Sequence, residues 1–274
     1  MRKALIALIT VSLTCIGSAQ ADTGSLIERY YAALKLDKVF EILRSEGIEA
    51  GEEMTEDGSV STSPAWTRRL EGIYAIDKME AAFRYGLESA GDLQEAEAAL
   101  AFFESPLGAR IVEIELEARG ALNDTDLEEE VRTRVEKMRA DKDARIGLYE
   151  TFVEVNNLID SNVMGALNAN LAFYQGMATT PSFEDGLPEE FMLSTIWDQE
   201  PEIRDNMKDW TMNFSALAYS TLSEDEMQDY IDISRTSAGQ KLNSALFSGF
   251  DQMFEMQSFE LGRATAEFMM GDET

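Results

Sequence analysis

Apolar residues recur at three- and four-residue steps along most of the chain, while sustained alternation with hairpin-turn residues is scarce. That pattern predicts helices and requires no strand. Ser25-x-x-Glu28 reads as a capping box opening a segment that carries Ile27, Tyr30, Tyr31, Leu34, Val39 and Ile42. Residues 47–63, rich in Gly, Glu, Ser and Thr, read as a loop. Ser63-Pro64 then offers an N-cap followed by a proline at the first helical position. From Ala65 to Leu87 one or two helices are expected, with Trp66, Leu70, Ile73, Ile76, Met79 and Phe83 at helical spacing. Asp92-x-x-Glu95 starts another, and Ser105-Pro106 closes it and caps the next.

Residues 123–145 differ in character: eight are acidic and six basic. Acid-before-base pairs four apart, such as Glu128–Arg132 and Asp141–Arg145, support a helix with little apolar surface, read as a connector. Beyond it, an amphipathic segment runs from Ile146 to Met177, and Ala178–Pro188 reads as a loop. Three more helices follow, the penultimate opened by the capping box Ser223-x-x-Glu226.

An offset of 131 residues aligns the two halves. Trp66 falls on Trp197, Phe83 on Phe214, Asp92-x-x-Glu95 on Ser223-x-x-Glu226, Ser105 on Thr236, Gly108 on Gly239 and Arg110 on Lys241. A cap, its partner, a turn and the next helix agree without a gap, which reads as a duplicated helical unit. Upstream of Trp66 the match dissolves.

The turn Phe102-Phe103-Glu104-Ser105-Pro106-Leu107-Gly108-Ala109-Arg110 resembles the signature of a bacterial exported family, domain of unknown function 2059. In that family an aromatic pair ends a helix and a Ser-Pro-x-Gly turn with a basic residue follows. The resemblance is close over residues 64–120 and weak over 195–250, where Ile233, Ser234 and Ser237 replace the aromatics and the proline while Gly239 and Lys241 persist. It implies an all-helical exported protein and supplies no activity and no catalytic residue.

At the N-terminus, Met1-Arg2-Lys3 precedes an apolar run from Ala4 to Ile16 and the small-residue box Ala19-Gln20-Ala21. This reads as a cleavable signal peptide, too short for a membrane span, with the mature chain expected in the periplasm rather than secreted. Its loss takes away Arg2, Lys3 and the lone Cys15, leaving 21 basic against 52 acidic residues and a net charge of −31. Nucleic acid and anionic lipid would both be repelled. The absence of histidine excludes Ser-His-Asp triads, Cys-His dyads and histidine-held metals.

Glu113, Glu115 and Glu117 spread over different helix faces, which gives no shared carboxylate site. Met253-x-x-Met256 and Met269-Met270 raise a Cu(I) reading, set against methionine's ordinary use as core filler. Phe247, Phe250, Phe254, Leu261 and Phe268 form an apolar seam along the last helix, a packing face or a docking face for a partner or a second copy.

The expectation is therefore an all-α protein: signal peptide 1–21, first helical repeat 22–122, charged connector helix 123–145 and second helical repeat 146–274. Its expected role is non-enzymatic, binding a protein or an apolar ligand through helix faces or the groove between halves, with no cofactor. A carboxylate-based glycan hydrolase and methionine-based metal binding are the alternatives.

Overall fold

The computed structural model describes residues 26–56, 60–61, 63–180 and 188–269. The proposed signal peptide, Ser25, Met270 and most of the loop before Pro188 lie outside these residues. Every regular element among the described residues is helical.

Residues 26–33 form α1. The chain turns at Lys35, which has φ 48°, and continues as α2 (Leu36–Glu56), α3 (Pro64–Ile73) and α4 (Ile76–Ser89). A 3₁₀ turn (Leu93–Ala96) leads into α5 (Glu97–Phe103), α6 (Pro106–Ala121) and α7 (Thr125–Asp141). Then come α8 (Ala144–Val155), α9 (Leu158–Ala178), α10 (Glu189–Ala218), a 3₁₀ turn (Tyr219–Thr221), α11 (Glu224–Arg235) and α12 (Ser237–Met269).

The caps explain most of these boundaries. Ser63 accepts from the Trp66 N–H and Ser105 from the Gly108 N–H, each with proline at the first helical position. Ser223 and Glu226 form a complete reciprocal capping box. Three local expectations are corrected. Residues 47–56 continue α2 instead of looping, because Gly47 and Gly51 let it lie against Tyr74 and Leu70. Asp92 accepts from the Gln94 N–H and opens a 3₁₀ turn, so α5 starts only at Glu97. Asp124 caps α7, accepting from the N–H groups of Asp126 and Leu127. The segment from Ile146 to Met177 is two helices, broken at Asn157, which has φ 50°.

One large core joins both ends of the chain. Trp66, Phe83, Leu87 and Leu100 from the first half are buried with Tyr219, Ile231, Leu242 and Met253 from the second. The α12 helix packs along α9 and α4, while α10 packs on α9, α7 and α6. In the charged stretch Val131 and Val135 are buried, and Arg134 donates to the Ala216 carbonyl at 3.2 Å, so α7 is docked on α10. A second, smaller cluster of Val163, Leu167 and Ile196 closes the α9–α10 arm.

Trp66 and Trp197 have different surroundings. Trp66 is buried, its indole N–H donating to the Gly51 carbonyl at 3.0 Å and its ring standing edge-on to Phe268. Trp197 is 58% exposed in the middle of α10. Four residues on, Pro201 has no N–H to offer the Trp197 carbonyl, yet the helix runs through.

Candidate functional site

The motif turn is built as its sequence suggests. Phe103 and Gly108 are buried, Phe102, Ser105 and Arg110 half-buried, and Pro106 exposed. A Cβ at Gly108 would collide with the Phe102 carbonyl, so only glycine lets α6 cross this close to the end of α5. The second junction repeats the geometry. Thr236 Oγ1 accepts from the Gly239 N–H at 3.0 Å, and a Cβ at Gly239 would collide with the Ile233 carbonyl. Arg110 donates to Glu226 at 2.7 Å and to the Thr221 carbonyl at 2.6 Å, and Lys241 donates to the Ala90 carbonyl at 2.8 Å.

The aromatic pair of the turn grips a residue of the other half. Phe102 stacks on the Tyr230 ring at 5.8 Å between centroids, while Phe103 meets it edge-on at 6.0 Å. Phe152 and Tyr219 close on the same ring at 4.7 and 6.0 Å. So held, the Tyr230 hydroxyl donates to Glu115 Oε1 at 3.1 Å, and the Tyr219 hydroxyl donates to the same oxygen at 2.7 Å. Both tyrosines use Oε1; among the described residues Oε2 accepts no hydrogen bond. Burial pushes the Glu115 carboxyl up to about 7, against the two hydroxyl bonds that favour its charged form. Burial, and then the nearby Glu115 carboxylate, hold both phenols well above their ordinary range.

Glu115 lies at the wall of an elongated apolar groove. Its inner part, about 250 Å³, is lined by Leu36, Val112, Glu115, Trp210, Phe214 and Leu246. The outer part, about 330 Å³, is lined by Leu43, Met207, Phe247, Asp251 and Phe254. Val39, Arg119 and Phe250 line both, so the two parts adjoin across these side chains. Arg119 donates to both carboxylate oxygens of Glu46, at 3.2 and 2.6 Å, with its guanidinium 5.7 Å from the Trp210 ring centre. Burial, with Glu255 nearby, raises Asp251 to about 6. A third concavity, about 370 Å³ between α7, α8, α9 and α10, combines Val153, Ile159 and Met212 with charged residues such as Arg139, Glu150 and Lys208.

The seam of α12 is divided between core and groove. Phe250 packs on Phe83 with centroids 4.8 Å apart, and Phe268 covers Trp66. Leu261 packs against the core, while Phe247 and Phe254 line the groove, Phe254 being 37% exposed. Met253 is fully buried and Met256 half-buried, so this pair does not share an open face.

The comparisons bear on the motif. Residues 77–135 match the family described as uncharacterized protein conserved in bacteria, DUF2059. The match runs from α4 to α7 and contains the whole Phe102–Arg110 turn, so the resemblance read from that turn holds over this segment. No curated protein and no solved structure matches the chain. Glu115 and Arg119 lie within the matched segment, with Val112 and Leu116 of the apolar wall, whereas Tyr219, Tyr230 and the rest of that wall lie outside it.

Reading the sequence singled out the turn and the seam, set Glu115 aside with Glu113 and Glu117, and missed Arg119, Trp210 and the two tyrosines. One signal was available. At the 131-residue offset Glu115 falls on Leu246 and Arg119 on Phe250, two inward-facing positions where one half is ionic and the other apolar.

Proposed function

We propose that this chain is an exported, periplasmic binding module without catalytic activity, taking an apolar ligand in the groove between two duplicated halves. The observation that carries this reading is the groove itself. It is open and lined by Trp210, Phe214, Leu246, Phe247 and Phe250, and it has walls from both halves. Apolar clefts of a few hundred Å³ with a small number of placed polar groups are the usual form of small-molecule sites. The duplication is supported by the matching caps and glycine contacts at Ser105–Gly108 and Thr236–Gly239. On this reading the groove lies at the junction of two copies that have diverged at Glu115/Leu246 and Arg119/Phe250.

Binding is preferred to carboxylate-based glycan hydrolysis because the neighbours of Glu115 are phenols. Its hydrogen-bond partners are Tyr219 and Tyr230, and no second acid contributes to its raised pKa. A hydrolytic pair needs two carboxyl groups facing the same bond.

The test uses N-phenyl-1-naphthylamine, a fluorophore uncharged at neutral pH, titrated against the full mature chain. Saturable fluorescence enhancement is expected, and Leu246→Trp, which fills the inner groove, should abolish it while leaving the helical circular dichroism intact. Absence of saturable binding to the native chain would overturn the reading.

A further inference from the structure

Glu115 is the outstanding polar group of the groove. Glu115 is half-buried, and a carboxylate that has lost part of its hydration is usually paired with a cation. Among the described residues, however, no Lys or Arg bonds to Glu115. Arg119 lies one turn further along α6, but its Nε–Nη2 edge is taken up bidentately by Glu46. At the matching position in the second half the protein places Leu246, which fills the same wall at no electrostatic cost. The first half therefore retains a carboxylate where a leucine would suffice for packing. Phe102, Phe103, Phe152, Tyr149 and Phe214 hold the two phenols that orient it, leaving Oε2 without a hydrogen-bond partner among the described residues. Such preorganisation around an unpaired group, at the wall of an apolar groove, is the architecture of a ligand-recognition site.

We propose that the groove recognises an amphipathic amine, with the ammonium paired to Glu115 Oε2 and the apolar body lying along Phe214, Leu246 and Phe250. This rests on the groove being a binding site, and adds the ligand's chemical class. Charge complementarity selects the sign: an ammonium completes the unpaired carboxylate, and the chain's net charge of −29 draws cations towards it. The elements facing Glu115 bring few competing charges. The 3₁₀ turn and α11 present Tyr219 and Tyr230, α6 presents Arg119, and α2, α10 and α12 present Leu36, Val39, Trp210, Phe214, Leu246 and Phe250. With the carboxyl titrating near 7, amine binding strengthens as pH rises through neutrality, because only the ionised form pairs with ammonium.

The experiment displaces N-phenyl-1-naphthylamine from the full chain with decylamine, decanol and decanoate, three ligands of equal chain length and different head charge, each below its micellar concentration. Decylamine is expected to bind at least about tenfold more tightly than decanol, the scale of one charge-assisted hydrogen bond. Glu115→Gln, and Glu115→Leu, which copies the other half, should each bring decylamine down to the level of decanol. Equal affinity for amine and alcohol in the native chain would overturn the inference while leaving the groove as a binding site. A preference for decanoate would also overturn it and pass the headgroup to Arg119. If the neutral probe and all three ligands fail to bind, by fluorescence and by direct calorimetry, the groove reading falls with it.

Discussion

Arg110 and Lys241 make the same bond in opposite directions. Arg110 reaches across to the Thr221 carbonyl at 2.6 Å, and Lys241 reaches back to the Ala90 carbonyl at 2.8 Å. Donors and acceptors alike are separated by 131 positions, so residue i of one half holds residue j of the other, and the reverse. Reciprocity of this kind is what a two-fold interface produces between separate subunits. Here it occurs within one chain, and the larger packing follows it. The α4 helix lies on α12, and its counterpart, the C-terminal part of α10, lies on α6 and α7.

The two cross-braces should therefore be close to interchangeable in cost. Lys241→Ala and Arg110→Ala are each expected to lower stability by about 1 kcal/mol, the usual net value of a hydrogen bond. The partly exposed Arg110–Glu226 pair adds little to this. Lys241→Arg should recover most of the loss. Urea unfolding of the three variants measures it; a neutral Lys241→Ala would show that the contact carries no stability.

Gly108 and Gly239 present a stricter symmetry. Alanine at either position drives a methyl group into a carbonyl of the preceding helix, Phe102 or Ile233, so backbone must move. Each substitution should cost about 2–4 kcal/mol, well above the ~1 kcal/mol by which alanine is favoured over glycine in an unobstructed helix. Midpoints in denaturant, at unchanged m-value, give the comparison.

The Glu115 carboxyl gives the fold a pH dependence of its own. Its folded-state pKa of about 7 lies above the ordinary 4.5, so the folded protein binds the proton more tightly than the unfolded chain. The stabilisation is fully present below pH 4.5 and is lost as pH rises through 7. The full amplitude is up to about 3 kcal/mol, from 1.36 kcal/mol per pKa unit. Glu115→Gln should flatten the stability–pH profile between these limits. Parallel profiles for native and variant protein would show that Glu115 does not contribute.

Two tryptophans on one alignment should respond differently. Trp66→Phe removes a buried hydrogen bond to the Gly51 carbonyl and part of the contact with Phe268, a loss of about 1–3 kcal/mol. Trp197→Phe, on an exposed face, should stay within about 0.5 kcal/mol of the parent. Thermal unfolding of both variants distinguishes them.

Three helix starts were legible from caps written into the chain. Ser63-Pro64, Ser105-Pro106 and Ser223-x-x-Glu226 all start helices in the structure, because a side-chain acceptor and a fixed φ act locally. Residues 47–56 were not legible: their Gly and Glu content suits a loop, and only the arrival of Tyr74 and Leu70 against the glycines makes a helix worthwhile. The same reasoning applies to the groove. Glu113, Glu115 and Glu117 look alike in sequence, yet Glu113 pairs with Lys35 at the surface while Glu115 turns inward. Which of three acids points into a core is decided by the helices that cover it. The alignment of Glu115 with Leu246 was the one sequence-level hint of that choice, since it sets an acid against a leucine at the 131-residue offset.

The exchange of helices between the halves means that a cut in the chain is not a cut in the molecule. A break between Asp141 and Ala144 would part α4 from α12 and α10 from α6, leaving two fragments with large bare hydrophobic faces that fit one another. Such fragments should find each other in the test tube and regain their shape as a pair, and the intact chain should melt in a single step.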